Sequence, residues 1–219
     1  IFISSLAAVG PLNYSNGLIT EDSLQVPVTA YGRSKLLAED EVKQSPLSWI
    51  IIRPTAVYGP GEKDLLTLIK GIEKGWDVYI GKKEQTLSFV YVKDLATVTV
   101  NALFENVFNE AFNISDGQLY SRYKWADIVL AQTKRKAIRL HFPYTLIKTI
   151  SYLLGGIGKI SGKPALLNSD KLNELVAANW GCSIQKAENQ LNFKPAYDLD
   201  KGLAETIDWY KKTNDFRNR

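Results

Sequence analysis

The sequence contains no methionine, one cysteine and one histidine in 219 residues. The single Cys182 excludes an intrachain disulfide and has no ligand-type residues beside it, so we predict no metal site and a reducing, cytoplasmic location. The single His141 argues against a histidine-rich metal centre and against a Ser-His-Asp hydrolase, and we interpret it as structural. The chain begins at Ile1 within an apolar run typical of the middle of a strand, so we expect further residues to precede it.

Neither a strongly charged segment nor a long apolar run is present. The net charge is +4, and the densest basic cluster, Lys134-Arg135-Lys136 with Arg139, is short, so we interpret it as a solvated loop and expect no nucleic-acid partner. The most apolar stretch, Phe142–Ile160, is interrupted by Lys148 and by Gly155-Gly156-Ile157-Gly158. It falls short of the ~20 apolar residues that span a bilayer, so we predict no stable membrane insertion. A packed helix or a lid over an apolar ligand is favoured, with peripheral membrane contact as the alternative.

Short apolar runs alternate with segments of helical periodicity, and this pattern predicts an α/β fold. Ile1–Ser4 and Trp49–Ile52 are typical of buried strands, and Ala30–Lys43 between them has an amphipathic helical pattern. Such a strand, helix and strand form a βαβ unit of a parallel sheet that is covered on both faces. We therefore predict the carboxyl-terminal part of a doubly wound parallel-sheet domain over residues 1–60 and a smaller α/β domain over residues 61–219. Further helices are expected at 64–74, 92–104, 123–133, 144–154, 169–177, 184–191 and 199–211, and further strands at 78–80, 87–92 and 111–114.

A tyrosine and a lysine lie four residues apart in the predicted first helix. Tyr31 and Lys35 therefore lie one turn apart on the same face, where the ammonium favours the phenolate form of the tyrosine. Such a phenol can exchange a proton with a substrate hydroxyl or carbonyl. Ser5 ends the first predicted strand and Pro54 follows the second, and ligands of open parallel sheets bind beyond the carboxyl ends of strands. Together these residues suit the oxidation or reduction of a secondary alcohol beside a nicotinamide ring.

Four segments carry motifs in a recognisable order and spacing. In this order they resemble the extended branch of the short-chain dehydrogenase/reductase superfamily, which contains NAD-dependent epimerases and dehydratases. The resemblance covers most of the chain, and it is specific because all four motifs occur together. The segments are Ile3-Ser4-Ser5-Leu6-Ala7-Ala8-Val9-Gly10, Tyr31-Gly32-Arg33-Ser34-Lys35, Arg53-Pro54-Thr55-Ala56-Val57-Tyr58-Gly59-Pro60 and Phe89-Val90-Tyr91-Val92-Lys93-Asp94-Leu95-Ala96.

The resemblance implies a catalytic serine, tyrosine and lysine. Counted back from Gly10, Ser5 resembles the catalytic serine, and Ser4 is the alternative if the register is shifted by one. Tyr31 resembles the acid/base of the family, and Lys35 resembles its partner. The implied substrate is a small molecule with a hydroxyl or keto group.

The resemblance also implies a Rossmann-type binding site for NAD or NADP. Pro54, Thr55 and Val57 resemble the backbone wall that meets the nicotinamide, and Tyr31 and Lys35 complete the implied cofactor-binding set. The helix that contains Tyr31 pairs with its twin in dimers of such enzymes, so a homodimer is a further expectation.

The phosphate-binding glycine loop of the family is not found. It belongs to the first strand-helix-strand unit, whereas Gly155-Gly156-Ile157-Gly158 follows a helix-like run and is not interpreted as a cofactor loop. Without that unit the pyrophosphate has no helix N-terminus to bind. We therefore expect the chain to be the carboxyl-terminal two thirds of an enzyme.

A second departure concerns the substrate. Nucleotide-sugar epimerases usually carry Arg-Asp before the aromatic strand motif, but Leu87-Ser88 occupy those positions, so a bidentate phosphate clamp is lost. This favours relatives resembling 3β-hydroxysteroid dehydrogenases and dihydroflavonol reductases, whose substrates are less charged. The leading hypothesis is an NAD(P)-dependent oxidoreductase, epimerase or dehydratase that works by hydride transfer. The alternatives are a non-catalytic nucleotide-sensing or scaffold protein and a folded but inert substrate-domain fragment.

Overall fold

The computed structural model describes residues 1–14, 17–151 and 169–213. The end of the helix predicted at 144–154 and the glycine run Gly155–Gly158 lie outside the described residues. The strands are β1 (Phe2–Ile3), β2 (Ile50–Pro54), β3 (Ala56–Tyr58), β4 (Trp76–Ile80), β5 (Thr86–Leu87), β6 (Phe89–Tyr91), β7 (Glu110–Ile114), β8 (Tyr120–Ser121) and β9 (Ile138–Phe142). The helices are α1 (Ala30–Gln44), α2 (Lys63–Glu73), α3 (Val92–Asn101), α4 (Lys124–Thr133), α5 (144–151), α6 (Ser169–Val176), α7 (Gln185–Gln190) and α8 (Leu199–Lys212).

The β-branched apolar runs form a parallel three-stranded sheet in the order β1-β2-β7. Helix α1 connects β1 to β2, as expected for a parallel βαβ unit. Strand β7 pairs along the whole of β2, from Ile50 opposite Glu110 to Pro54 opposite Ile114. All five residues of β2 are buried, which explains why its sequence shows no polar alternation. The predicted α/β class with a parallel sheet is confirmed.

Three two-stranded sheets follow the βαβ unit. Strands β3 and β6 pair in parallel, β4 and β9 pair in parallel, and β5 and β8 pair antiparallel. The single strand predicted at 87–92 is wrong, because Ser88 interrupts it and separates β5 from β6. Ser88 is buried, and its hydroxyl accepts a hydrogen bond from the Cys182 amide at 3.3 Å. Strands β3, β8 and β9 were not predicted, since they are short or carry mainly exposed side chains.

Two apolar clusters form the core of the described residues. The first packs Ile52 of β2 and Phe112 of β7 against Ile184, Leu191 and other residues near α7. The second lies between α2, β6, α4 and α8. Its aromatic members contact each other edge to face or tilted, and they are Tyr58, Phe89, Tyr91, Tyr120 and Trp125. Within the part of the chain that is described, no helix is both long and apolar enough to cross a membrane.

A buried ion pair attaches α1 to the parallel sheet. Glu39 of α1 is fully buried and accepts hydrogen bonds from Arg53 Nε at 2.9 Å and Arg53 Nη2 at 2.6 Å. The Ser4 hydroxyl donates to the same carboxylate at 2.5 Å, and Lys43 Nζ lies 3.6 Å from it. Burial raises the pKa of Glu39, but the hydrogen bonds from Arg53 and Ser4, together with the charges of Arg53 and Lys43, hold this pKa below its ordinary value.

A second buried carboxyl lies just after β7. Asp116 accepts hydrogen bonds from the Tyr120 hydroxyl at 2.6 Å and from the Gln118 amide at 3.0 Å. Burial raises its pKa to about 6, although both hydrogen bonds oppose this shift. The folded state therefore favours the protonated carboxyl, and ionisation lowers the free energy of unfolding as the pH rises from about 4 to about 6.

We expect Asp116→Asn to gain stability relative to the wild type as the pH rises, because the amide cannot ionise. The difference in free energy of unfolding between the two proteins should change by about 2–3 kcal/mol between about pH 4 and about pH 7. Urea unfolding at several pH values measures this difference. The exposed Asp22→Asn variant is the control and should show no such change. A pH-independent difference for Asp116→Asn would contradict the assignment.

Candidate active site

A cleft of 620 Å³ opens at the carboxyl ends of β1 and β2. Of the residues predicted to form the site, it brings together Ser5, Tyr31, Pro54 and Thr55. This position agrees with the rule that ligands of parallel sheets bind beyond the carboxyl ends of the strands. The other predicted residues, Lys35 and Val57, do not line the cleft.

Ser5 and Ser4 have different environments. Ser5 begins a short 3₁₀ helix, Leu6–Ala8, and its hydroxyl accepts a hydrogen bond from the Ala7 amide at 3.2 Å. Ser5 lines the cleft and is half-buried. Ser4 is buried and donates a hydrogen bond from its hydroxyl to Glu39 of α1. Of the two serines only Ser5 lines the cleft, because the hydroxyl of Ser4 is held by Glu39 of α1.

The first turn of α1 carries Tyr31. Thr29 caps this helix, and its hydroxyl accepts a hydrogen bond from the Gly32 amide at 2.9 Å. Tyr31 is 57% exposed on the cleft side. Lys35 donates a hydrogen bond from Nζ to the Ile3 carbonyl oxygen at 3.0 Å, and its Nζ lies 5.9 Å from the centre of the Tyr31 ring. The β1 backbone therefore holds the ammonium group beside the phenol.

A glycine next to Tyr31 permits the close approach of α1 to the 3₁₀ helix that follows Ser5. A Cβ atom at Gly32 would lie 2.3 Å from the Ala7 carbonyl oxygen, a distance that requires backbone movement. Gly71 of α2 provides a contrast, because a Cβ atom there meets nothing closer than the Trp76 carbonyl oxygen at 3.8 Å.

We expect Gly32→Ala to lower the free energy of unfolding by about 1–3 kcal/mol, because the new methyl group overpacks the α1 contact. Gly71→Ala is the matched control and should be neutral or stabilising by up to about 1 kcal/mol, since alanine favours a helix over glycine. Urea unfolding of both variants measures the effect. Equal effects of the two substitutions would contradict a close-approach role for Gly32.

The predicted nicotinamide wall has an apolar and a polar component. Pro54 is buried at the end of β2, and the Thr55 amide donates to the Ile114 carbonyl oxygen at 3.0 Å. Thr55 lines the cleft, and its hydroxyl oxygen is buried and has no hydrogen-bond partner among the described residues. Val57 instead packs against the apolar cluster behind the parallel sheet.

The remainder of the cleft wall is largely apolar and comes mainly from β4, β5, α2 and α4, with further residues from β6, α6 and the segment after α6. Leu87 and Ser88, which replace the expected Arg-Asp pair, both line it. Its charged members are Asp77, Arg122 and Glu174. Asp77 forms an ion pair with Arg139 at 2.8 Å. The apolar and aromatic members include Leu65, Leu68, Ile72, Trp76, Val78, Tyr79, Ile80, Phe89, Trp125 and Trp180.

Sequence reasoning did not identify this second wall as part of the site. Trp76, Trp125, Trp180 and Arg122 belong to none of the motifs that predicted the site. No local spacing reveals them, because the parallel pairing of β4 with β9 joins segments some sixty residues apart. In the described ranges, no group of three or more His, Cys, Asp or Glu side chains is arranged to hold a metal ion.

The model of the NAD dependent epimerase/dehydratase family matches residues 1–115, slightly more than half of the chain. The chain belongs to this family. The matched residues contain the motifs around Ser5, Tyr31 and Pro54, and the match ends just beyond β7. The resemblance inferred from these motifs is therefore confirmed at the level of the family.

The similar proteins include a ceramide reductase and a UDP-glucose 4-epimerase. The chain is 26% identical over 216 residues to a ceramide reductase of Caulobacter vibrioides, with 96% of this chain and 62% of that protein aligned. It is 28% identical over 222 residues to a UDP-glucose 4-epimerase of Vibrio cholerae, with 98% and 63% aligned. The chain thus spans less than two thirds of the length of these relatives.

Solved structures support the same fold. A UDP-glucuronic acid 4-epimerase from Bacillus cereus, determined in complex with NAD, superposes with a TM-score of 0.71 at 22% identity. The superposition covers 96% of this chain and 60% of that protein. At this level of identity the similarity establishes the fold and leaves the substrate open.

Proposed function

We propose that the chain contributes the serine, tyrosine and lysine of an NAD(P)-dependent active site that oxidises or reduces a hydroxyl or keto group. The observation that carries this proposal is the convergence of Ser5, Tyr31, Pro54 and Thr55 on one cleft at the carboxyl ends of two parallel strands. Membership of an NAD-dependent family supports it. Residues 1–60 would belong to the cofactor-binding domain, to whose sheet β7 returns, and the rest mainly to the substrate domain.

Each catalytic residue has a role that its contacts permit. The Ser5 hydroxyl would donate a hydrogen bond to the substrate oxygen, which requires only rotation of a group that now accepts from the Ala7 amide. Tyr31 would exchange the proton of that oxygen, acting as a general acid or base. Lys35 would stabilise the phenolate, because the Ile3 carbonyl oxygen orients its ammonium group.

The residues at the end of β2 fit a nicotinamide. Pro54 offers an apolar contact, and the buried Thr55 hydroxyl is a polar atom that still requires a hydrogen-bond partner. When bound, NAD(P) would supply or accept the hydride. If the reaction is a net epimerisation or dehydration, the oxidation is transient and the cofactor is regenerated.

The cleft wall favours a substrate with an apolar body. Leu87 and Ser88 line the cleft where a phosphate-binding arginine would be expected, and aliphatic and aromatic side chains surround them. Similarity to a ceramide reductase agrees with this substrate class, whereas similarity to a UDP-glucose 4-epimerase supports the alternative of a nucleotide sugar. Among the described lining residues Arg122 is the only basic one, and Asp77 and Glu174 are acidic, so we favour the apolar substrate.

Titration of the chain with NADH and with NADPH tests the proposal against its alternatives. Micromolar binding, followed through the nicotinamide fluorescence, would contradict the inert-fragment alternative. Binding without hydride transfer to any ketone in the full-length protein that contains these residues would support a nucleotide sensor or scaffold instead. Binding with hydride transfer that requires Tyr31 would support the oxidoreductase.

A further inference from the structure

One face of the two-stranded sheet formed by β4 and β9 is apolar and exposed. Alternate residues of a strand point to opposite faces, so register partners two residues apart share one face. Three of the most exposed apolar side chains lie there, with Trp76 53%, Val78 55% and Ile138 63% exposed. We call this surface the apolar sheet face. Its three register pairs are Trp76 with Ile138, Val78 with Leu140, and Ile80 with Phe142.

The opposite face of the same sheet is polar and packs against α4. Asp77 is buried and forms an ion pair with its register partner Arg139 at 2.8 Å. Arg139 also contacts Asp127 of α4 at 2.6 Å, and Tyr79 stacks on its register partner His141. A half-exposed sheet ordinarily turns its apolar face to the core and its polar face to water. This sheet is reversed, and a contiguous exposed apolar surface of this kind marks an interaction site.

The apolar sheet face continues into the cleft. Its three β4 residues line the cleft, and so does Leu68 of α2, which is 55% exposed. Ile138 and Phe142 of β9 do not line the cleft, so the apolar surface extends beyond it. A partner that covers this face therefore also covers one side of the opening through which a ligand reaches the cleft.

Basic residues flank the apolar sheet face at the ends of both strands. The flanking segments are 73–75 and 134–137 before the strands and 81–84 and 143–148 after them. They contain seven basic residues, all exposed, and only two acidic ones, Glu73 and Glu84. The flanks are thus more positive than the whole chain, whose net charge is +4. The basic residues are Lys74, Lys82, Lys83, Lys134, Arg135, Lys136 and Lys148.

We propose that the apolar sheet face docks on the surface of a bilayer that contains anionic lipids. The apolar side chains would enter the boundary between headgroups and acyl chains, with Trp76 at the depth where tryptophan is enriched. The flanking basic residues would attract the anionic headgroups. A second copy of this chain fits the face less well, because a symmetric contact would place two positive flanks against each other.

Docking in this orientation has a consequence for the cleft. The cleft would open toward the bilayer, so an apolar substrate could reach Tyr31 from the lipid without crossing water. This consequence rests on the proposed function, whereas the docking itself requires neither cofactor nor turnover.

Flotation of the full-length protein that contains these residues with lipid vesicles tests the proposal. One set of vesicles is phosphatidylcholine alone, and the other contains phosphatidylcholine and phosphatidylglycerol in equal parts. At low salt the wild type should bind the anionic vesicles about tenfold or more tightly than the neutral ones. High salt should remove most of this difference, because it screens the charges.

Two substitutions at exposed sites separate the apolar contact from the charge. Ile138→Glu should weaken binding to anionic vesicles about tenfold or more, because it removes an apolar contact and adds a repelled charge. Phe104→Glu makes a similar change at an 84% exposed position away from the cleft and should bind as the wild type does. Lys136→Glu should weaken binding about tenfold, whereas the exposed Lys194→Glu should not.

Several results would overturn the proposal. These are equal binding of the wild type to both kinds of vesicle, undiminished binding by Ile138→Glu, and an equal loss in Ile138→Glu and Phe104→Glu. Sedimentation of the same variants supplies a further one, because loss of self-association in Ile138→Glu would assign the face to a second copy of the chain. Tyr31→Phe should bind vesicles as the wild type does, so a failure of hydride transfer with docking intact contradicts the proposed function alone.

Discussion

Tyr31→Phe is expected to lower turnover about 10²–10⁴-fold in the full-length protein that contains these residues, because the phenol that exchanges the substrate proton is removed. The fold and the affinity for NAD(P)H should be retained, since Tyr31 is 57% exposed. Steady-state oxidation or reduction of the nicotinamide, followed by absorbance, measures turnover. Cofactor titration under the same conditions separates chemistry from binding.

The exposed Tyr14 provides a matched control for this experiment. It is 61% exposed and does not line the cleft, so Tyr14→Phe should keep wild-type turnover. Lys35→Met should lower turnover as well, because the ammonium beside the phenol is lost. Wild-type turnover in Tyr31→Phe would contradict the proposed acid/base role of this residue.

Glu39→Leu is expected to lower the free energy of unfolding by about 3–5 kcal/mol. The substitution leaves the guanidinium of Arg53, with a side chain that is 3% exposed, buried without its carboxylate. It also removes the acceptor of the Ser4 hydroxyl. Urea unfolding at neutral pH measures the loss. Helix α1, which carries Tyr31 and Lys35, should be among the elements that loosen.

Two further variants identify the cause of that loss. Glu41→Gln changes an exposed carboxylate on the same helix and should alter stability by less than about 0.5 kcal/mol. The double variant Glu39→Leu with Arg53→Leu should recover much of the loss, because no charge then remains buried alone. A small effect of Glu39→Leu alone would contradict the buried-pair account.

The pKa of Glu39 sets the pH range in which the ion pair with Arg53 stabilises the fold. Its folded-state pKa lies below its value in the unfolded chain, so the stabilisation is fully present above about pH 4.3 and is lost as the pH falls through the folded-state pKa. Asp116 acts in the opposite direction between about pH 4 and about pH 6.

The parallel sheet and the first βαβ unit could be predicted because their signals are local. Strand β2 is buried on both faces, so its sequence is a continuous apolar run, and α1 follows with helical spacing of its apolar residues. The buried residues of α1 are nevertheless Gly32 and Glu39, and Leu37 is exposed. The positions of Ser5, Tyr31 and Pro54 then follow from the rule for ligand sites in parallel sheets. The count back from Gly10 favoured Ser5 over Ser4, but the contact that buries Ser4, with Glu39 35 residues away, has no local signal in the sequence.

The second wall of the cleft could not be predicted for a related reason. Strand β9 has mostly exposed side chains and pairs with β4 across a long sequence separation, so its local pattern is weak. Nothing in the sequence distinguishes Arg122 from a surface arginine. In the structure it is buried and donates hydrogen bonds to the carbonyl oxygens of Ile80 and Lys83. The substrate preference proposed for this wall therefore depends on tertiary structure, whereas the catalytic tyrosine and lysine depend on spacing within one helix.

A crystal structure of the full-length protein with NAD⁺ tests the central claim most directly. We expect the nicotinamide ring to lie against Pro54 and Thr55, with its reactive carbon facing the Tyr31 hydroxyl and the Thr55 hydroxyl hydrogen-bonded to the ring substituent. Ser5 should face the same space. A nicotinamide bound away from Tyr31, or an adenine moiety in its place, would contradict the assignment of this cleft as the site of hydride transfer.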